Sequence, residues 1–213
     1  MKNQFALGLM AILLLASCAT SKNSTSGWVS IFDGKTFNGW KVNEHPETFS
    51  IQDGSIVANG ERAHLFYTGP LADHDFKNFE FKAQVKTMPN SNSGIYFHTM
   101  YQDEGWPSKG YEVQVNNSHS DWRRTGGLYA IDDVKEAPAK DNVWFTEHII
   151  VNGKHVQVLI DGKKVVDYTE PENPERPEGM KDRLISDGTF ALQGHDPGSK
   201  VFFKDIMVKV LPD

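Results

Sequence analysis

From residue 28 onward, apolar and polar residues alternate with a period of two, which is typical of half-buried β-strands. The clearest example is residues 79–86, where Phe79, Phe81, Ala83 and Val85 alternate with Glu80, Lys82, Gln84 and Lys86. The same alternation runs through residues 95–98, 111–116 and 156–160. No stretch of 12 residues carries a convincing helical stripe, so the best helix candidate is the short segment 179–186.

Turn signals separate these strands. Asp53-Gly54, Asn152-Gly153 and Asp161-Gly162 each predict a two-residue hairpin turn of type I′, because both central residues of that turn need a positive φ. The last two signals join three strands into a meander. Gly126-Gly127 is interpreted as a bend, and the proline-rich segment 170–178 as a surface loop, since proline cannot join a central strand.

The number and spacing of the strands predict the architecture. About 185 residues in at least ten short strands, with neither an internal repeat nor a second linker, indicate one all-β sandwich or barrel. The predicted domain spans residues 28–213.

The first 27 residues have a different composition. An apolar run from Phe5 to Ala16 is too short to span a bilayer and has the proportions of a signal-peptide core. It ends in Leu-Ala-Ser-Cys at residues 15–18, which resembles a bacterial lipobox. The sequence therefore predicts a lipoprotein signal peptide at residues 1–17, lipidation of Cys18, and a flexible, lipid-anchored tether at residues 18–27. A buried core cysteine is the alternative.

The residue after the cysteine refines the expected location. Ala19 stands there in place of Asp, and the tether carries no acidic run, which favours the outer membrane, facing the periplasm. We expect the lipid anchor to be the only contact with the membrane. The formal net charge of -6 argues against a nucleic-acid partner.

On the polar faces of several strands, the sequence has amides, aromatic rings and imidazoles. Sheets that face water usually carry Lys, Glu and Thr in such positions. The residues in these positions are Tyr96, His98, Glu112, Gln114, Asn116, Gln193 and His195. Amides and carboxylates bond hydroxyl groups, and aromatic faces cover the C–H face of a sugar ring. Tryptophans in predicted loops, among them Trp106 and Trp122, fit the same interpretation, which is a neutral, hydroxyl-rich ligand.

Two familiar chemistries are less well supported. The strand Glu112-Val-Gln-Val-Asn-Asn117 has one carboxylate followed by amides, which argues against a retaining glycosidase unless a second carboxylate comes from elsewhere. The eight histidines include no HxH, HxxxH or HExxH spacing. His98, Glu112 and His195 could still converge across neighbouring strands. We expect no resident metal and no cofactor.

Six motifs follow one another along the chain. They are Ser30-Ile-Phe-Asp-Gly-Lys-Thr-Phe-Asn-Gly-Trp40, Asn92-Ser-Gly-Ile-Tyr-Phe97, Tyr111-Glu-Val-Gln114, Thr125-Gly-Gly-Leu-Tyr129, Ala191-Leu-Gln-Gly-His195 and Val201-Phe-Phe-Lys-Asp-Ile206. In this order they resemble one bacterial family, the 3-keto-disaccharide hydrolase domain. The resemblance covers Trp28 to Leu211. One departure is Trp144-Phe145, where the family usually has Trp-Asn, so no role of that asparagine carries over.

The resemblance implies a concanavalin-like jelly roll of two curved antiparallel sheets with a concave sugar-binding face. It also implies cleavage, by hydrolysis or β-elimination, of glycosides whose C3 hydroxyl is already oxidised to a ketone. Such an elimination needs a base, donors for the enolate oxygen and an acid for the leaving group. A separate sugar oxidoreductase would supply the oxidised substrate, so this chain would need no nicotinamide.

Within the matching motifs, we expect Glu112 or His195 to be the base, and the other of the two, or Tyr129, to be the acid. The expected substrate-binding residues are Asn92, Gln114, Gln193, His98, Trp122 and Arg124. A structural histidine at position 195, and a salt bridge of Glu112 with Arg123 or Arg124, are the non-catalytic alternatives. Two other functions stay open: a non-catalytic carbohydrate-binding module, which uses the same fold, and an ordinary glycoside hydrolase.

Overall fold

A computed structural model describes residues 27–213 of the protein. The predicted signal peptide, Cys18 and the tether up to residue 26 lie outside the described residues. Within 27–213 the chain forms fifteen strands in two antiparallel sheets. Two short 3₁₀ helices, Pro46–Thr48 and Leu71–His74, are the helices of this part of the chain. The fold confirms the prediction of an all-β, concanavalin-like jelly-roll sandwich.

The first sheet has eight strands. Its order is β13-β12-β11-β6-β15-β4-β3, and β1 pairs with β15. The strands are β1 (Val29–Ser30), β3 (Phe49–Gln52), β4 (Ser55–Ala58), β6 (Phe79–Thr87), β11 (Phe145–Asn152), β12 (His155–Ile160), β13 (Lys163–Thr169) and β15 (Val201–Val210).

The second sheet has seven strands, in the order β10-β9-β8-β7-β14-β5-β2. They are β2 (Trp40–Val42), β5 (Ala63–Tyr67), β7 (Ser93–Thr99), β8 (Tyr111–Val115), β9 (Arg124–Leu128), β10 (Asp132–Val134) and β14 (Thr189–Gly194).

The alternating sequence pattern builds the core between the sheets. In β6 every second residue, beginning at Phe79, is buried, and the polar residues between them are partly exposed. On the opposing sheet, Tyr111, Val113 and Val115 face the same core. The apolar surface removed from water by these inward rows stabilises the sandwich.

The two sheets differ on their outer faces. Strands β5, β7, β8 and β14 are buried along their whole length, whereas β6, β11 and β12 alternate between buried and partly exposed residues. Because antiparallel sheets usually leave one face to water, the double burial means that loops cover the outer face of the seven-stranded sheet. The polar residues on that face are therefore enclosed.

Two of the three predicted hairpin turns are found where the sequence places them, and the third is shifted by one residue. Asp53-Gly54 and Asp161-Gly162 have positive φ at both residues, as a type I′ turn requires. The third turn was predicted one residue too early, since Asn152 pairs with His155 and the loop is Gly153-Lys154. Only Gly153 has a positive φ there, which fits a type II′ turn.

Two local predictions were wrong. Gly126 and Gly127 are not a bend but lie inside β9, where their small size matters: a Cβ on Gly126 would be 2.6 Å from Val165 Cγ2. Segment 179–186 forms turns rather than a helix. Gly179 has φ +81°, and the Asp182 carbonyl accepts from the Leu184 amide, two residues on, and from the Gly110 amide outside the segment, which is not a helical pattern. The loop predicted at 170–178 carries no strand, although Glu170 itself is buried.

Across residues 27–213, no helix has the length and apolar character needed to cross a membrane.

Candidate active site

The site lies on the outer face of the seven-stranded sheet. In the pairing of β7 with β8, Tyr96 lies opposite Glu112 and Gly94 lies opposite Gln114. Gln193 of β14 lies on the same face, where its Nε2 contacts the Tyr96 hydroxyl. These side chains line a cavity of about 300 Å³. Six of the predicted site residues line it together: Asn92, Glu112, Gln114, Tyr129, Gln193 and His195.

Glu112 is the centre of a buried hydrogen-bond network. Its Oε2 accepts from the Tyr96 hydroxyl at 2.8 Å and pairs with Nη2 of Arg183 at 3.4 Å. Its Oε1 accepts from Nε2 of Gln193 at 2.8 Å, and that amide nitrogen also lies 3.1 Å from the Tyr96 hydroxyl. Burial raises the pKa of Glu112, and Arg183, Tyr96 and Gln193 oppose that rise. Glu112 therefore forms its ion pair with Arg183. The alternative drawn from the sequence, a salt bridge with Arg123 or Arg124, is wrong.

The amide side chains leave acceptors without protein partners. Nε2 of Gln114 donates to Oδ1 of Asn92 at 2.9 Å, which fixes both amides. Oε1 of Gln114 and Oε1 of Gln193 are buried and have no hydrogen-bond partner within residues 27–213. A buried acceptor without a partner costs about 1–3 kcal/mol, so a ligand hydroxyl that donates to it gains affinity.

His195 follows β14 and lies partly exposed at the cavity. Its Nδ1 is 2.6 Å from Oδ2 of Asp196, and that carboxylate also accepts from the Ser199 hydroxyl at 2.7 Å. Burial raises the pKa of Asp196, but the hydrogen bonds from Ser199 and His195 outweigh it and the net pKa is lowered. An ionised Asp196 only accepts, so Nδ1 carries the proton and Nε2 is left as a hydrogen-bond acceptor.

Tyr129 follows β9 and is half-buried at the cavity. Its ring lies under the Arg123 guanidinium, 4.6 Å from the ring centre. Burial raises the pKa of its hydroxyl, which keeps the phenol protonated at neutral pH. A protonated phenol at a cavity wall can donate to an oxygen of a ligand.

Sequence reasoning missed several residues of the cavity. Arg183, from the loop after β13, has a buried Nη1 without a partner within the described chain. Asp121, from the loop after β8, adds a second carboxylate to the wall, and Trp106 and Met180 complete the cover. These residues lie in irregular loops and carry no periodic signal. Trp106 is the exception, because its position in a predicted loop had already marked it as suited to a sugar ligand.

Three predicted binding residues lie elsewhere. His98 lies in a β-bulge, where Phe97 and His98 face the single residue Phe190, and its φ is +55°. The bulge turns its imidazole away from Tyr96, so that Nε2 lies 3.0 Å from the Lys77 carbonyl oxygen. Burial lowers the pKa of His98 to about 4. His98 therefore does not converge with Glu112 and His195.

The other two lie beside the cavity, Trp122 on the loop before β9 and Arg124 at the start of β9. Trp122 is 48% exposed and stacks against the Arg123 guanidinium. Nη1 of Arg124 donates to the His119 carbonyl oxygen at 3.0 Å and to the Asp121 carbonyl oxygen, which closes the loop 117–123. Both act on the loop that carries Asp121. Among residues 27–213, no three His, Cys, Asp or Glu side chains are grouped to hold a metal ion.

The jelly-roll fold, with an amide- and aromatic-lined cavity on one sheet, defines a β-sandwich protein of the carbohydrate-active class. The chain belongs to the family of 3-keto-alpha-glucoside-1,2-lyase-like domains, whose family model matches residues 27–209. This match confirms the resemblance found in the six motifs.

A curated relative and two solved structures extend the comparison. The chain is 40% identical over 78 residues to a 3-keto-disaccharide hydrolase of Bacteroides thetaiotaomicron, a match that spans 33% of this chain and 27% of the relative. A candidate glycosyl hydrolase of Parabacteroides distasonis superposes with a TM-score of 0.74 at 24% identity, over 87% of this chain and 94% of that one. The carbohydrate-binding module CBM66 of Bacillus subtilis superposes with a TM-score of 0.57 at 12% identity, over 80% and 95%. At these sequence identities, the two superpositions show a shared fold and nothing more.

Proposed function

We propose that this protein cleaves glycosides whose C3 hydroxyl has been oxidised to a ketone, by β-elimination across C1 and C2. The observation that carries the proposal is the His195–Asp196 pair at a cavity that also contains the guanidinium of Arg183. A base and a cation within one cavity suit the removal of a proton beside a carbonyl group. The family and the name of the curated relative support the same substrate class.

His195 is the proposed base. A C3 ketone acidifies the proton on C2, and the free Nε2 of His195 takes that proton. The electron pair of the C–H bond then moves into the enolate. Asp196 stabilises the imidazolium that forms, as an acidic partner on Nδ1 does in other His-based sites. Of the two candidates for the base that the sequence left open, this proposal takes His195 rather than Glu112.

Glu112 has a different proposed role, because three donors already occupy its oxygens. It holds Arg183 in place, and Nη1 of Arg183 donates to the enolate oxygen on C3. The enolate collapses to expel the oxygen at C1, and the Tyr129 hydroxyl gives its proton to that leaving group. The product is a sugar with a C1–C2 double bond, and addition of water to this bond gives net hydrolysis.

The amides account for recognition in this proposal. Oε1 of Gln114 and Oε1 of Gln193 accept from sugar hydroxyls, and Asn92 fixes the Gln114 side chain. No redox cofactor takes part in these steps, so the substrate must come from a separate sugar oxidoreductase. We further propose that the domain works in the cell envelope, as an outer-membrane lipoprotein anchored through Cys18 and facing the periplasm.

The test offers 3-keto and unoxidised versions of one glycoside to the purified protein, each with and without a chelator. We expect an unsaturated sugar from the 3-keto form, detected by its enone absorbance and by mass, and no release from the unoxidised form. The Glu112→Gln and His195→Ala variants should both lose this activity. Full elimination by both variants would contradict the assignment of the site.

A second function is favoured by one observation, the presence of Asp121 in the same cavity as Glu112. Two carboxylates that flank the scissile bond are the machinery of ordinary glycoside hydrolases, with the buried acid of raised pKa as proton donor. Release of sugar from the unoxidised glycoside, lost in Asp121→Asn, would establish this function and exclude the ketone mechanism.

The same fold also serves non-catalytic modules such as CBM66. Tight binding of an unmodified oligosaccharide, with no turnover of either form, would identify the protein as a carbohydrate-binding module.

A further inference from the structure

His64 is a buried imidazole that the proposed mechanism does not use. It lies on β5 directly opposite Gln193 of β14, and so on the same outer face of the sheet as the cavity. Its side chain is fully buried, and neither Nδ1 nor Nε2 has a hydrogen-bond partner within residues 27–213. Burial lowers its pKa to about 3, so the ring is neutral, with one donor and one acceptor unused.

The cover over His64 is aromatic and comes from a loop. The indole of Trp106, in segment 100–110 between β7 and β8, packs edge-to-face on the His64 ring at 5.5 Å between centroids. The same indole lies 5.4 Å from the His195 ring, so it bridges the cavity and His64. Trp106 is nevertheless 44% exposed.

Segment 100–110 is braced internally and is also held by contacts to the rest of the protein. The Gln102 side chain bonds the Glu104 carbonyl at 2.6 Å, the Trp106 carbonyl at 3.0 Å and the Ser108 amide at 3.2 Å. Towards strands β2 and β5 it is held by the Gly105 amide on Oε1 of Glu44, a carboxylate paired with Arg62 at 3.0 Å. At its ends, Tyr101 packs on Phe66 and Lys109 pairs with Asp187. The internal bracing lets the segment move as one unit once these outer contacts open.

We infer that His64 and Trp106 form a second sugar-binding position, next to the cavity, for the leaving-group ring of a two-ring substrate. The inference rests on the proposed function. The cavity of about 300 Å³ is at the small end of ligand pockets and suits one ring. Movement of the loop opens the space over His64, whose two nitrogens then bond hydroxyls of the second ring, while the Trp106 indole covers its C–H face.

The test compares a 3-keto methyl glucoside, which has one ring, with a 3-keto disaccharide, which has two. The quantity of interest is the ratio of kcat/KM for the two-ring over the one-ring substrate. We expect Trp106→Ala and His64→Leu each to lower this ratio about 3- to 10-fold, the worth of one stacking contact or hydrogen bond. Trp106→Phe should recover part of it. Trp144→Ala is the control and should leave the ratio unchanged, because Trp144 directly precedes β11 and contacts Lys86 of the eight-stranded sheet.

A second readout follows His64 directly. In a ¹H–¹⁵N spectrum of the imidazoles, the two-ring sugar should shift the His64 signals and the one-ring sugar should not. Because His64→Leu alters a buried site, His64→Gln is the second variant. A ratio unchanged in Trp106→Ala and in both His64 variants would overturn the second position.

If the proposed function is wrong, a binding experiment still tests the second sugar-binding position. If the wild-type protein turns over neither 3-keto substrate, calorimetric titration with unoxidised one- and two-ring sugars makes the same comparison. A two-ring preference that falls in the variants supports the position without catalysis. A wild-type protein that neither binds nor turns over any of the four sugars overturns both inferences.

Discussion

A methyl group built on Gly94 would lie 2.5 Å from Oε1 of Glu112. The carboxylate of β8 therefore lies directly over a glycine of β7, and no larger residue leaves room for it. This contact explains why the second motif carries a glycine within a fully buried strand, where glycine is otherwise unfavourable.

The Gly94→Ala substitution tests the importance of this carboxylate position. We expect the added Cβ to push Glu112 off Gln193 and to disturb Arg183, lowering kcat by about 100-fold, as displacements near 1 Å do. Overpacking should also lower the free energy of unfolding by about 1–3 kcal/mol. Steady-state kinetics and thermal unfolding on the same preparation measure the two effects.

Gly69→Ala is the matched control for steric strain. A Cβ on Gly69 would be 2.5 Å from the hydroxyl of Tyr67, which belongs to the core between the sheets and does not line the cavity. This variant should lose stability but keep kcat per folded molecule. Equal losses of kcat in the two variants would mean that Gly94 matters only for folding.

The Asp196→Asn substitution tests the tautomer of His195. An asparagine can donate to Nδ1, which places the imidazole proton on Nε2 and removes the base. We expect kcat to fall by at least about 10-fold, and His195→Ala to lower it by about 10²- to 10⁴-fold, the usual worth of a general base. The pH dependence of kcat on the 3-keto substrate reports the base through its acidic limb, because a general base acts only when it is deprotonated, and this limb should change in Asp196→Asn.

The protein contains a second histidine–aspartate pair for comparison. Nε2 of His155 lies 2.6 Å from Oδ1 of Asp167 on the outer face of the eight-stranded sheet. Asp167→Asn removes a similar contact outside the cavity and should leave kcat and its pH profile intact. Activity retained in full by Asp196→Asn would assign His195 a structural role.

The fold was predictable because its information is local and periodic. Alternation in β6 and β8 and the Asp-Gly turns define strands and hairpins within a few residues of their true bounds. The outward polar row of β8 also identified Glu112 and Gln114 correctly as neighbours in one cavity.

The positions of the remaining site residues depend on features that do not repeat along the sequence. A single extra residue in β7 sends His98 away from the cavity, and no local sequence rule predicted that bulge. Arg183 reaches Glu112 from a loop 71 residues further along the chain. Such a contact depends on the path of the whole loop, which alternation cannot encode.

The lipid anchor predicted at Cys18 can be tested in cells. Cys18→Ser should abolish labelling by a fatty-acid analogue and move the protein from the membrane to the soluble fraction, because its thiol is the expected attachment point. Ser17→Ala keeps a small residue before the cysteine and should stay membrane-bound. Membrane association of Cys18→Ser without lipid would contradict the anchor.

The core of the sandwich contains a carboxyl group with no hydrogen-bond partner within the described residues. Glu147 of β11 is fully buried opposite Ala83 and Ile160, and neither oxygen is bonded. Burial raises its pKa well above 4.5. The folded state therefore prefers the protonated form, and stability should fall as pH rises from about 4.5 towards the folded-state pKa.

Glu147→Met removes the titrating group and keeps the length of the side chain. We expect the free energy of unfolding at pH 7 to rise by about 1–3 kcal/mol, the cost of a buried polar group without a partner. The fall in stability with rising pH should become shallower. Denaturant unfolding from pH 4 to pH 8 measures both.

Glu80 of β6 provides a control of opposite sign. Burial raises its pKa, but hydrogen bonds from Lys209 and His148 outweigh that and lower it overall. Its stabilising contribution is therefore present above pH 4.5 and lost as pH falls, so Glu80→Gln should lower stability at pH 7. If Glu147→Met also lowered stability at pH 7, the carboxylate would have to be paired inside the core, and the unpartnered arrangement would be wrong.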